Sequence, residues 1–190
     1  MVGLRNPGDR YRATRHNLGS DIVVALAARH GATFKRAKRT VRAEVSELQI
    51  DGARAVLAVP TTFMNESGQA VSPLLRYFHA DLSNVLIVHD DIDLPFVKVR
   101  LQFGRGSGGN NGARSIIRSV GSQEFWRLKC GVGRPPGRMD PAAFVLRRFT
   151  SKEQPEIDLM IEHGADIVER FIVEGGEAAQ QLTGNLGNGG

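Results

Sequence analysis

Apolar positions recur along the chain in two periods, one helical and one strand-like. Leu18, Ile22, Val23, Leu26 and Ala27 fall on one face of a helix that Gly31 can stop. A second helix is predicted after Asn65-Glu66-Ser67-Gly68, with Ala70, Val71, Leu74, Leu75 and Phe78 on one face, and a third near Ala113 to Val120. Ile157, Met160, Ile161, Gly164, Ile167, Val168 and Phe171 mark a final helix. The strand-like segments are shorter. Met1 to Leu4 reads as the end of a strand running into the turn Asn6-Pro7-Gly8-Asp9. Val45 to Ile50 and Ala53 to Val59 form a hairpin across Asp51-Gly52, because Asp-Gly supplies the positive φ angles of a tight primed turn. Val85 to Val88 is a continuously apolar run of the buried-strand kind, Val97, Val99, Leu101 and Phe103 alternate as in a half-exposed strand, and another strand is predicted near Arg127 to Val132. Lys35-Arg36-Ala37-Lys38-Arg39 carries neither period and reads as a solvated basic loop, with phosphate contact as the alternative.

Strands interleaved with helices in this order imply a single three-layer α/β/α domain over residues 1–182, with a mixed, mostly parallel central sheet covered by helices on both faces. Thr183 to Gly190 is rich in glycine and asparagine and is expected to be a flexible tail. No repeat or inter-domain linker interrupts the pattern. In such sheets ligands bind beyond the carboxyl ends of the strands, so the polar residues just after the predicted strands are the ones to interrogate.

Composition narrows the function classes. A chain of 190 residues with 41% hydrophobic residues fits one globular domain with a proper core. No stretch approaches the roughly 18 consecutive apolar residues of a membrane span, and the N-terminus lacks the basic-then-apolar layout of a secretory signal, so a cytoplasmic location is expected. Cys130 is the only cysteine, which excludes an internal disulfide and a thiol-held zinc or iron-sulfur centre and favours a small buried side chain over a nucleophile. The net charge of +5 suits a polyanionic partner, although charge alone does not identify one.

Four polar clusters follow the predicted strands: Asn6 with Tyr11 and His16, Phe63-Met64-Asn65, His89-Asp90-Asp91, and Gly104 to Gly112 with Asn110-Asn111. Each alone has a structural explanation as a cap or turn. The glycine loop tempts a nucleotide-fingerprint reading, and with it a dinucleotide-dependent oxidoreductase. It sits mid-chain after an alternating strand, however, with no downstream ribose-binding acid, and is better read as mobile backbone close to a ligand, with Asn111 at its rim.

Together the clusters are more specific. Gly3-Leu4-Arg5-Asn6-Pro7-Gly8, Tyr11, Thr14-Arg15-His16-Asn17, Pro60 through Phe63-Met64-Asn65-Glu66-Ser67-Gly68, His89-Asp90-Asp91-Ile92-Asp93-Leu94 and Gly108-Gly109-Asn110-Asn111-Gly112 resemble the bacterial peptidyl-tRNA hydrolase family. The order and spacing continue through Gly131-Val132-Gly133-Arg134-Pro135-Pro136-Gly137 and Phe144-Val145-Leu146, so the resemblance covers nearly the whole chain. It implies hydrolysis of the ester that joins a peptide to the terminal ribose of tRNA, with peptidyl-tRNA and tRNA as partners. No metal, cofactor, membrane or obligatory protein partner is implied, and the protein is expected to be a monomer. By the same resemblance His16 activates water and Asp90 orients it. Asn65 and Asn111 lie near the reacting carbonyl and the tRNA 3' end, with Met64 beside them in the substrate site. Tyr11 and Phe63 contact tRNA or its terminal adenosine, and Asn6 selects a blocked amino group.

Those residue types suit the chemistry. An imidazole titrates near neutrality and can take a proton from water, and a carboxylate on its other nitrogen fixes the tautomer and stabilises the imidazolium. Carboxamides can hold a developing oxyanion. An ester with a ribose leaving group is reactive enough that a positioned water suffices. Arg100, Arg105, Lys129, Arg134 and Arg138 are the candidate cations for the tRNA, against the plainer reading of surface charge. The chain departs from the family at three points: a first strand that begins only a few residues before Asn6, Arg5 where a small residue is usual, and Asn110 where histidine is common. The main alternative is a non-catalytic RNA-binding protein on the same scaffold, resembling the plant chloroplast splicing factor derived from this family. Retention of His16, Asp90, Asn65 and Asn111 together favours the enzyme.

Overall fold

Seven strands form one sheet in the computed structural model, which describes residues 1–186. They are β1 (Val2–Gly3), β2 (Lys35–Arg36), β3 (Ala43–Ile50), β4 (Ala53–Pro60), β5 (Leu86–Asp91), β6 (Val99–Phe103) and β7 (Trp126–Gly131), in the spatial order β2-β3-β4-β1-β5-β7-β6. The pairings β4-β1, β1-β5 and β5-β7 are parallel, and both margins, β2-β3-β4 and β7-β6, are antiparallel. The sheet is therefore mixed, with its parallel part at the centre.

Alternation along the central strands sends side chains into two cores. Leu86, Val88, Leu57 and Leu128 join the core under α1 (Leu18–Arg29), α5 (Gln154–Glu174) and α6 (Gly176–Leu186), whereas Ile87, Ala58 and Val2 join the core under α2 (Gly68–Phe78) and α3 (Asn111–Val120). This is the three-layer α/β/α arrangement that the interleaved pattern predicts. A short helix, α4 (Pro141–Val145), starts on Asp140, whose carboxylate accepts from the Ala143 N–H at 3.1 Å.

Two local features fix the site. The β3-β4 hairpin turns at Asp51 and Gly52, with φ of 46° and 85°, and pairs Ile50 with Ala53, as Asp-Gly requires. The start of α1 lies directly on β1 and β5: a Cβ at Gly19 would stand 2.1 Å from the Val88 carbonyl oxygen, and one at Gly3 2.4 Å from the Gly19 oxygen. Only glycine allows this approach, and it brings the turn before α1 to the end of β5.

The structure corrects several expectations. Lys35–Arg36 is an edge strand on β3 and not a loop, because the outer edge of β3 offers backbone partners that no side-chain period reveals. β5 runs on past Val88 through His89, Asp90 and Asp91, which pair in register with Lys129, Cys130 and Gly131 of β7, so these polar residues lie on the strand and not after it. Val97 sits in a positive-φ turn (57°) before β6. The helix near residue 171 is not the last. α6 follows Gly175, covers Trp126 with Gly176, buries Ala179 and donates from Gln180 Nε2 to the Leu101 carbonyl at 3.0 Å. Its apolar face is too short to show as a period. The expected tail thus begins inside α6 up to Leu186, and residues 187–190 lie outside the described residues.

Candidate active site

A cleft of about 610 Å³ opens at the carboxyl ends of β1, β4 and β5, with Asn6, His16, Met64, Asn65, Asp90 and Asn111 in its wall. The glycine loop at Gly108 and Gly109 borders one side, and Pro141, Ala142 and Val145 of α4 with the following Leu146 the other. A larger hollow, of about 730 Å³, lies at the opposite ends of the strands beside Met1, Arg54 and Val85. Its lining holds no histidine or paired carboxylate, whereas the cleft holds His16, Asp90 and Asp91.

His16 is carried on a short 3-10 turn, Arg15–Asn17, that is pinned from below. The buried Arg15 guanidinium donates to Glu153 at 2.6 Å and to the Arg148 carbonyl at 2.6 Å, and stacks 4.4 Å and 4.8 Å from the ring centroids of Phe144 and Phe149. These bonds tie the turn to the α4-α5 segment. His16 Nδ1 lies 2.8 Å from Asp90 Oδ1. A carboxylate only accepts, so Nδ1 carries the proton and Nε2 is left with a lone pair. Burial works against the imidazolium, but the charge of Asp90 and its hydrogen bond outweigh it and hold the His16 pKa above the ordinary value.

Asp90 is 2% exposed and has a second partner. Asn110 Nδ2 donates to the Asp90 backbone carbonyl at 3.2 Å and reaches Oδ1 at 3.4 Å, while Asn110 Oδ1 accepts from the Ala113 N–H at 3.0 Å and caps α3. Asn6 is locked as well: its N–H donates to Asn17 Oδ1 at 2.8 Å, its carbonyl accepts from Asn17 Nδ2 at 3.0 Å, and its own Oδ1 accepts from the Met64 N–H at 2.8 Å. The described hydrogen bonds leave Asn6 Nδ2 uncommitted at the cleft wall. Met64 is buried against Gly112, where a Cβ would stand 2.6 Å from its sulfur. Asn65 is exposed on the short 3-10 turn Met64–Glu66 that follows β4, and Asn111 is exposed as the first residue of α3.

The other expected residues are placed less uniformly. Tyr11 and Phe63 are not in the cleft wall. They form an edge-on pair with centroids 6.2 Å apart, Phe63 is 45% exposed, and the Arg10 guanidinium sits 4.5 Å over Tyr11. Lys129 is mostly covered, with its Nζ 2.5 Å from Asp91 Oδ2 beneath Gly108, so its charge is offset inside the protein. Arg134 borders the cleft and is ion-paired with Asp93. Arg138, Arg100 and Arg105 are exposed, and the Arg105 carbonyl accepts from the buried Arg127 guanidinium at 2.8 Å. Cys130 is fully buried and its thiol is pushed up by burial, which keeps it protonated. Among the described residues no group of three or more His, Cys, Asp or Glu is placed to hold a metal ion, and no helix is long and apolar enough to cross a membrane.

Sequence reasoning missed Arg15, Asn17 and Asn110 as supports of the site. Arg15 and Asn17 flank His16 in the Arg-His-Asn motif, and that adjacency was the one signal available for them. Asn110 stood only as a departure from the usual histidine.

A histidine held by a buried carboxylate, facing a groove at the carboxyl edge of a mixed sheet, defines an α/β enzyme equipped for proton transfer. The peptidyl-tRNA hydrolase family model matches residues 1–187. Peptidyl-tRNA hydrolase of Mycobacterium tuberculosis is 47% identical over 180 residues, covering 95% of this chain and 94% of the relative. That of Mycobacteroides abscessus is 48% identical over 95% of this chain and 91% of its own length. The crystal structure of peptidyl-tRNA hydrolase from Acinetobacter baumannii superposes with a TM-score of 0.88 at 34% identity, over 96% of this chain and 92% of that one. The chain belongs to the peptidyl-tRNA hydrolase family and is an enzyme of that class.

Proposed function

We propose that this enzyme hydrolyses the ester between a peptidyl or N-blocked aminoacyl group and the 3' ribose of tRNA, with His16 as general base. The observation that carries the reading is the 2.8 Å contact of His16 Nδ1 with the buried Asp90, which turns the free Nε2 toward the cleft. A water between Nε2 and the ester carbonyl gives its proton to Nε2 as its oxygen bonds to the carbonyl carbon. Asp90 stabilises the imidazolium that results. Asn6 Nδ2, Asn65 and Asn111 are the donors available to the developing oxyanion and the 3' end. When the tetrahedral species collapses, the ester C–O bond breaks and the ribose oxygen takes the proton back from Nε2. The products are a carboxylic acid and free tRNA.

Phe63, exposed beside the cleft, and the half-buried Tyr11 edge-on to it offer ring surface on which terminal bases can stack. Arg138 supplies exposed positive charge on the β7 side, where Arg134 and Lys129 are paired with Asp93 and Asp91. The test is release of a labelled N-acetylated aminoacyl group from tRNA, with the unblocked aminoacyl-tRNA as control. Release from the blocked substrate alone supports the reading. Tight tRNA binding with no release from either overturns it in favour of an RNA-binding role on the same scaffold.

A further inference from the structure

A basic turn at the opposite margin of the site remains without a task. Residues 35–42 contain Lys35, Arg36, Lys38, Arg39 and Arg42 and no acidic residue. All five cations are exposed, and among the described residues none takes part in an ion pair. Some other cations are neutralised, as Arg29 faces Glu162, Asp166 and Glu169, Arg134 faces Asp93, and Lys129 faces Asp91, whereas residues 35–42 bring five unpaired cations together in eight residues. Glu44, the nearest acid in sequence, is taken by Arg5 at 2.9 Å.

The turn is also rigidly mounted. Val41 is 1% exposed in the core beneath α2, Ala37 packs against the same core, and the turn is closed by the Val41 N–H to the Lys38 carbonyl at 2.8 Å and the Ala37 N–H to the Ala43 carbonyl at 3.0 Å. Two apolar anchors thus hold the backbone while the cations project outward, which reduces the ordering that binding has to pay for. Lys38 Nζ stands 5.1 Å from the ring centroid of Tyr77, itself 45% exposed on α2. Cations interleaved with an exposed aromatic are the composition of a nucleic-acid surface.

Position decides which nucleic acid. β3 is antiparallel to β4, so Ala43 pairs with Pro60 and the turn lies at the carboxyl end of β4, where the cleft opens. The Arg42 carbonyl accepts from the Thr61 N–H at 2.9 Å, and Thr61 is four residues from Asn65, a separation of at most about 14 Å along an extended chain. In the sheet order this margin is opposite the β7 side that carries the exposed Arg138. A polyanion whose 3' end enters the cleft therefore meets positive charge on both flanks.

We propose that the turn 35–42, through Arg36, Lys38 and Arg39, is a second contact surface for the phosphodiester backbone of the tRNA body, on the β4 side of the cleft. The proposal rests on tRNA being the substrate, but its test does not need turnover. The probe is deacylated tRNA, and the variant is Arg36→Ala, Lys38→Ala and Arg39→Ala together. Each phosphate contact contributes about 0.9 to the slope of log affinity against log salt for a duplex, so the expected slope is shallower by about 2 to 3. A charge-keeping variant, Arg36→Lys, Lys38→Arg and Arg39→Lys, should retain the wild-type slope. With N-blocked aminoacyl-tRNA the alanine variant should show a raised KM and unchanged kcat, and on a minimal substrate of 3'-terminal nucleotides it should match wild type. An unchanged salt slope overturns the proposal, as does equal loss on minimal and full-length substrates, or an effect confined to substrates with acidic peptides. If the turn sets the salt slope but the protein cleaves neither substrate, the hydrolase reading falls and this one stands. If the protein cleaves both and the slope is unaltered, this one falls alone.

Discussion

At the residue scale, the site depends on a chain of locked side chains behind one free nitrogen. Asp90 fixes His16, Asn110 steadies Asp90, and Asn17 fixes Asn6, which in turn fixes the backbone of Met64. Each link has its own readout. Asp90→Asn removes the anion that raises the His16 pKa, and a general base at His16, as proposed, acts only when deprotonated, so kcat should fall and the acidic limb of the pH profile should move to lower pH. An acidic limb that moves up or stays in place would separate Asp90 from His16. Asn110→Ser retains a good helix N-cap but cannot reach Asp90 as the carboxamide does. It should lower kcat with thermal stability nearly intact, whereas Asn110→Ala should also lose about 1 kcal/mol of stability. Equal activity in wild type and the serine variant would reduce Asn110 to a cap.

His89 acts on stability. It is fully buried on β5, donates from Nδ1 to the Asp90 carbonyl at 2.7 Å, and burial pushes its pKa down to about 4. The folded state holds it neutral, so as pH falls below about 6.5 the unfolded chain gains the proton first. Its contribution is whole above that pH and is lost progressively toward pH 4. His89→Gln should flatten the decline of Tm between these limits, and an equally steep decline in both proteins would show that another group governs acid unfolding.

At the element scale, the close crossing of α1 over β1 and β5 sets the distance between His16 and Asp90. Gly19→Ala would push a methyl into the Val88 carbonyl, with no flexible side chain to yield. Overpacking of this kind costs about 1 to 3 kcal/mol, and here the strain bears on the turn that carries His16. The expected result is a lower Tm together with a lower kcat. A stable variant with full activity would show that the crossing has slack. The same scale explains what was legible in the sequence. Elements with a clear period, namely α1, α2, α3, α5 and the β3-β4 hairpin, were readable because one face of each is buried. β2 has only backbone pairing to define it, α6 offers a short apolar face, and the polar end of β5 is buried through its pairing with β7. None of these leaves a periodic trace.

At the scale of the whole molecule, the sheet order brings residues far apart in sequence to one edge: Asn6 after β1, Asn65 after β4, Asp90 at the end of β5 and Asn111 at the start of α3. These were legible because their motifs have fixed order and spacing, and all four line one cleft. The basic residues were not legible in the same way. Whether a cation is free or neutralised depends on partners elsewhere in the chain, as Asp91 for Lys129 and Asp93 for Arg134 demonstrate. Lys129→Ala would also strand the buried Asp91, so its effect on the fold precedes any effect on tRNA.

The role of His16 is tested most directly by the single-turnover rate of His16→Ala on N-acetylated aminoacyl-tRNA, with tRNA affinity measured in parallel. A general base acts in the transition state and adds little to ground-state binding, so the expected result is a rate lower by at least about 100-fold with tRNA binding and Tm retained. Retention of more than about a tenth of the wild-type rate would contradict it, because removal of the base could not leave so much of the reaction in place.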